Sequence, residues 1–167
     1  IKDLNKPSLL SKIWNLATTG TARPNAKSKQ DGEANGLKYK VRYQYAPLTF
    51  SENSREFCKK MVKAKKIYRK EDITQMSKKA VNAGWGLSGA DNYDIWLYKG
   101  GGDCHHFWMR KTYRAKNKGQ NPDVKNPNSE VSVNKARKEG FKPEVNAKQV
   151  AMRPTDMPNN GFVNKKR

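Results

Sequence analysis

The stretch SENSREFCKKMVKAKKIYRKEDITQMSKKAVNAGWGLSGADNYDIWLYKGGGDCHHFWMRKTYRAK, residues 51–116, decides the fold. It holds both cysteines, both histidines and three of the four tryptophans, so a folded core and any site belong here. Asn53 and Glu56 stand at capping-box spacing and predict a helix of about three turns. Phe57, Cys58, Met61 and Val62 form its apolar stripe, and Lys59, Lys60, Lys63, Lys65 and Lys66 its wet face. A second short helix is expected from Arg69, with Glu71 and Asp72 in the first turn, where the helix dipole favours acids, and with Ile73 and Met76 buried. The segment NAGWGLSGADN reads as a glycine loop. Tyr93 to Lys99 carries apolar or aromatic groups on both faces and reads as a strand covered on both sides. Gly100, Gly101 and Gly102 make a turn that presents Asp103, Cys104, His105 and His106. The following FWMRKTY is either a last strand or a short helix.

Upstream, Leu37, Tyr39, Val41, Tyr43 and Tyr45 alternate with Lys38, Lys40, Arg42 and Gln44. That is the period of a half-buried strand with a basic, solvated outer face, and Pro47 ends its pairing. Residues 21–36 are small, polar and turn-forming, and read as a linker. In residues 1–20, Ser8 caps a short helix bearing Leu9, Leu10, Ile13, Trp14 and Leu16, too short to stand alone in water. It is a docking helix, onto its own module or onto a neighbour. Downstream of residue 116 the chain is polar and rich in Pro and Asn, with one helical candidate in VSVNKARKEG. Phe141, Val150, Met152, Met157 and Phe162 are spaced like anchors on an extended arm lying over a neighbouring subunit. The expected organisation is therefore α+β. Residues 1–36 are a docking helix and linker, residues 37–116 a small central module of two or three strands with two short helices, and residues 117–167 an extended C-terminal arm. Trp14, Phe141, Met157 and Phe162 serve as the arm anchors.

Composition supports a small core. Hydrophobic residues make up 35% of the 167 and charged residues 30%, and mean hydropathy is −1.04. A module of roughly 80 residues lies near the size at which an isolated core is only marginally stable. Thirty-five Lys and Arg against fifteen Asp and Glu leave a net charge of +20, spread along the length. Such a field favours a polyanion or an acidic protein surface. Nothing approaches the ~18 apolar residues of a membrane span. Two cysteines are no disulfide scaffold, and with no signal peptide the default is a reducing cytoplasm. The first residue is Ile1, which suggests processing from a longer precursor or a preceding segment outside this chain.

Cys58, Cys104 and one or both of His105 and His106 are every soft ligand in the chain apart from methionine, and zinc favours tetrahedral thiolate and imidazole donors. The alternative is a packed cluster with no metal. A thiol nucleophile needs a base within reach, and adjacent residues on an extended segment point to opposite faces. His106 therefore shares the face of Cys104, and His105 does not. A metal-dependent nuclease using Asp103 and the histidines lacks the further acidic cluster such sites use. No enzyme and no required cofactor are expected.

SREFCKKMV, then IYRKEDI, then YKGGGDCHHFWMRKTY follow one another in an order that resembles the closing domain of phage minor head, or head-morphogenesis, proteins of the Mu F-like type. Together with VAMRPTDMPNNGFVNKKR, the segment looks closest to structural proteins of crAss-like tailed phages of Bacteroidota. The resemblance covers residues 54–116 well and residues 132–167 more loosely. It implicates Ser54, Arg55, Phe57 and Cys58, then Tyr68, Arg69, Glu71 and Ile73, then Gly100, Gly101, Cys104, His106 and Trp108. Cys104-His105-His106 departs from the cysteine-arginine-histidine form expected in relatives. The resemblance implies a virion component and no catalyst: an auxiliary or minor head protein made in the host bacterial cytoplasm and held to capsid or portal proteins by its arms, beside packaged double-stranded DNA and away from membrane. The alternative is a basic DNA-binding or cargo protein packaged inside the particle.

Overall fold

The alternation over residues 37–45 builds the spine of the sheet. The structure is a computed structural model that describes residues 19–144 and 148–150. A short strand β1 (Gly32–Ala34) turns into β2 (Leu37–Ala46), which is followed by helix α1 (Glu56–Ala64), β3 (Ile67–Tyr68) and α2 (Lys70–Lys78). A single helical turn, α3 (Ile95–Tyr98), leads through the glycines into β4 (Phe107–Arg114). Then come β5 (Glu130–Val131), α4 (Val133–Lys138) and β6 (Gln149–Val150).

The fold is α+β, and its sheet is antiparallel throughout. β2 and β4 pair over their whole length, from Tyr39 opposite Arg114 to Ala46 opposite Phe107. β1 and β3 share the outer edge of β2, and β5 and β6 share that of β4. Six described strands exceed the two or three expected. Four of them are only two or three residues long, too short to carry a period that sequence could reveal.

Tyr39, Val41, Tyr43 and Tyr45 are at most 1% exposed and face the helices. Phe57 of α1 meets the Tyr45 ring edge-on at 5.8 Å, and Trp96 of α3 meets Tyr43 at 4.8 Å. Trp108 is fully buried among Tyr45, Tyr68 and Trp96. α2 adds Ile73 and Met76, both fully buried. Burying one such side chain contributes about 1.5–3 kcal/mol, so this face carries most of the stability.

The second face is not the wet basic surface expected. Arg42 is fully buried and Lys40 is 8% exposed, because residues 23–31 lie across them. The Lys40 ammonium donates to the Asn25 carbonyl at 3.1 Å. Ser28 and Lys29 bond to Glu71 at the start of α2. Residues 23–31 are thus a cover for the sheet and residues 32–34 its edge strand β1, so the stretch is not a linker.

Other expectations also change. Tyr93 to Lys99 contains α3 and not a strand: Asp94 caps the turn by accepting from the Leu97 amide at 3.1 Å. FWMRKTY resolves as strand. α1 starts with Arg55 at its N-cap and no side-chain cap bond, so Asn53 does not cap it. α2 follows its expectation, with Arg69 at the N-cap and Asp72 bonded back to the Arg69 amide. Beyond residue 116 the described chain folds onto its own sheet. Phe141 stacks on Tyr39 at 4.6 Å, and Val150 pairs with Trp108. Phe141, expected as an anchor over a neighbour, is instead packed on the chain's own sheet. The N-terminal helix with Trp14, and Met152, Met157 and Phe162, lie outside the described residues.

Candidate functional site

One buried cluster gathers the chemistry-bearing side chains. α1 places Cys58 on its inward stripe. The lead into β4 places Cys104 and His106 two residues apart, and both point inward because an extended chain alternates. The three are 3%, 5% and 9% exposed. His105 points the other way, its side chain 71% exposed and 3.6 Å from the Asp103 carboxylate. Among the candidate ligands the fold brings together Cys58, Cys104 and His106, and leaves His105 out.

The glycines make this approach possible. A Cβ on Gly100 would stand 2.3 Å from Cys58 Sγ and 3.1 Å from Cys104 Sγ. Gly101 has φ +104 and passes so close to Trp85 that a Cβ would meet its carbonyl oxygen at 3.0 Å. The turn is pinned from outside as well. Asn82 donates to the Gly100 carbonyl at 2.9 Å, and the Tyr93 hydroxyl donates to that of Lys99 at 2.6 Å. Arg55 donates to the Gly102 carbonyl and lies over the Trp85 ring, 4.3 Å from its centroid.

Within the cluster the two sulfurs are 3.9 Å apart, and Cys104 Sγ is 3.7 Å from His106 Nδ1. The Tyr45 hydroxyl lies 3.3 Å from Cys58 Sγ and 3.5 Å from Cys104 Sγ. Its ring stacks on that of His106 at 4.8 Å. His106 Nε2 is 3.2 Å from the Thr49 carbonyl oxygen. A carbonyl only accepts, so Nε2 carries a proton and Nδ1 is the nitrogen offered to the sulfurs.

Burial, with the two thiols behind it, pushes the Tyr45 phenol well above its ordinary range, so it stays protonated and donates. Hydrogen bonding from Cys58, then from Tyr45 and the His106 backbone, holds Cys104 well below the ordinary thiol range against the opposing effect of burial. Cys58, which gives that bond and is itself buried, is pushed far up. Close by in this field, Lys99 is fully buried. Desolvation brings its pKa down to about 8, opposed by Cys104 and Cys58.

The trio borders an open cleft of about 760 Å³, also lined by Phe50, Arg55 and Trp85. Leu48, Phe50 and Trp85 are the large apolar side chains left exposed among the described residues, and two of them rim this cleft. Tyr45, Thr49 and Lys99 complete the surroundings and were missed from sequence. Tyr45 is visible only as one more core residue of β2, and Thr49 acts through its backbone.

The other residues implicated by resemblance serve packing and turns. Phe57 and Trp108 fill the core, and Tyr68 donates its hydroxyl to Met61 Sδ at 3.7 Å. Arg69 pairs with Asp72 at 2.7 Å, Glu71 holds Ser28 and Lys29, and Ser54 closes a turn by accepting from the Ser51 amide at 3.0 Å. Compared with known proteins, the chain matches no family model, no curated protein and no solved structure.

Proposed function

We propose that this chain is a structural component of a tailed-phage head, an auxiliary or minor head protein that binds neighbouring capsid or portal subunits. The observation that carries the reading is the use made of the motif residues. Arg55, Cys58, Gly100, Gly101, Cys104, His106 and Trp108 are separated by up to 53 positions in sequence, yet they converge on one packed junction of α1, the glycine turn and β4. Residues that build such a junction, with the imidazole and thiols buried, suit an assembly module better than a catalyst. Two further features support it. Exposed apolar groups gather at one cleft, as contact surfaces do, and the +20 charge suits a place beside packaged DNA or an acidic lattice. No described helix is long and apolar enough to cross a membrane.

Mass spectrometry of purified particles, with free amino termini labelled before digestion, tests this. Hundreds of copies per particle mean a lattice protein of the shell, and a dozen or fewer mean the portal or neck. Absence from the particle overturns the reading.

The charge favours a second reading, a DNA-binding or cargo protein inside the virion. Salt separates the two. Binding to duplex DNA that falls with a log–log slope of several units against salt marks phosphate contacts. Negligible DNA binding, with particle association that survives ~1 M salt, marks apolar docking, because such salt shortens the Debye length to about 3 Å.

A further inference from the structure

We propose that Cys58 Sγ, Cys104 Sγ and His106 Nδ1 are three ligands of a zinc ion, with the fourth position completed from the cleft they line. The proposal stands independently of the virion reading. It rests on the spacing of the donors and on what surrounds them.

Zinc–sulfur bonds of about 2.3 Å and zinc–nitrogen bonds of about 2.0–2.1 Å at tetrahedral angles place two sulfurs about 3.8 Å apart, and a sulfur and a nitrogen about 3.6 Å apart. The corresponding distances here are 3.9 Å and 3.7 Å, and all three donor atoms lie within 4.8 Å of one another. The sulfurs are far beyond the ~2.05 Å of a disulfide.

The surroundings are those of a ligand set. A metal-bound histidine almost always gives its other N–H to a carbonyl or carboxylate, which fixes ring and tautomer. His106 does this through Nε2 to Thr49. The Tyr45 hydroxyl, beside both sulfurs, donates to a thiolate. Gly100 leaves clear the space in front of the sulfurs that a Cβ would take. Two thiolates balance the charge of one Zn²⁺, which matters at sites this enclosed, where an uncompensated charge is costly. Thiolate and imidazole donors select zinc over magnesium or calcium, which prefer oxygen. Three protein ligands with the fourth place reached from a cleft leave room for water or for a side chain of a partner. Bound zinc would clamp α1 to the root of β4 across a sequence gap of 46 residues.

The full chain, purified reduced from zinc-supplemented cells, is assayed for metal by mass spectrometry. It is then stripped and titrated with Co²⁺. Expected are about one zinc per chain and, with cobalt, near-ultraviolet thiolate charge transfer with the visible bands of a tetrahedral ion. His105→Ala keeps both signals, and Cys104→Ser and His106→Ala weaken zinc at least ~100-fold, beyond the usual effect of an outer-shell change. Should those variants fail to fold, the wild-type chain still decides: modifying its two thiols releases one zinc. A folded, reduced wild-type chain that takes up neither zinc nor cobalt overturns the site. So does loss of metal in His105→Ala, or zinc retained after both thiols are modified.

Discussion

The Arg42 guanidinium, fully buried on the second face of the sheet, holds Asp31 with both terminal nitrogens, at 2.6 and 3.3 Å. Its remaining donors go to the carbonyls of Pro24, Ala26 and Val41, so all five are used. Arg42→Met leaves Asp31 and three carbonyls without their donor. Asp31 keeps the Ser28 amide and its side chain is 18% exposed, so the loss falls toward the lower end of the about 3–5 kcal/mol that breaking a fully buried pair costs. Urea unfolding of the purified chain is expected to show a loss of that size. Arg42→Lys keeps the charge but not the fork, so its loss falls between. A loss below about 1 kcal/mol for Arg42→Met would mean that residues 23–31 do not depend on this contact.

This pair also marks where sequence reading stopped. The tyrosines of β2 were legible because one apolar face imposes a period of two, and the stripes of α1 and α2 because helical spacing and first-turn acids agree. Arg42 reads as solvent-facing on that same period. Its burial depends on Asp31, 11 residues upstream in a stretch whose composition is that of a linker. Tyr93 to Lys99 misled for a related reason: apolar groups on every side report full enclosure and say nothing of period. α3 is a helix because Asp94 caps it and the glycines end it. At the site, alternation was enough to pair His106, and not His105, with Cys104. The approach of Cys58, and the parts played by Tyr45 and Thr49, come from tertiary packing, which local spacing does not encode.

Gly100 has no room for a side chain. Its missing Cβ would sit 2.3 Å from Cys58 Sγ and 3.1 Å from Cys104 Sγ, so Gly100→Ala must displace these side chains, α1 or the turn. Such overpacking costs about 1–3 kcal/mol, occasionally more. The midpoint of urea unfolding should fall accordingly. In the double variant Gly100→Ala/Cys58→Ala much of the loss should return, since the smaller side chain gives back the space. Equal losses in both would locate the clash elsewhere.

Phe141 is 8% exposed and stacked on Tyr39. Truncating a buried phenylalanine costs about 3–5 kcal/mol, so Phe141→Ala should destabilise the isolated chain by that order in thermal or urea unfolding. An anchor for a neighbouring subunit would behave differently, leaving the lone chain unaffected and weakening only assembly. Unfolding of the lone chain before and after substitution separates the two.

Glu139 ties the end of α4 to the sheet by accepting from Arg114 and from the Tyr39 hydroxyl. The Arg114 bond, then the Tyr39 bond, holds its carboxyl below the ordinary glutamate range. A depressed folded pKa means that the unfolded chain binds more protons in this window, so stability rises with pH there. The contribution is complete above the ordinary glutamate pKa and lost as pH falls through the depressed value. Melting temperature followed from pH 7 to pH 3 should show wild type above Glu139→Gln near neutrality, with the gap closing toward the acid end. A gap independent of pH would mean that the charge is not what ties α4 down.

Trp85 is 46% exposed at the rim of the cleft, and its chief described contact is the Arg55 guanidinium over its face. An exposed cation–π pair is worth only ~0.5–1 kcal/mol, so Trp85→Ala should leave the melting temperature within a few degrees of wild type. Exposed aromatics beside an arginine are, however, the composition of a contact surface. If the cleft rim docks on a neighbouring subunit, particles grown with Trp85→Ala will carry several-fold fewer copies of this chain than those grown with a substitution outside the cleft, such as Lys125→Ala. Equal copy numbers for the two variants would exclude the rim from the contact and leave attachment to other surfaces of the chain.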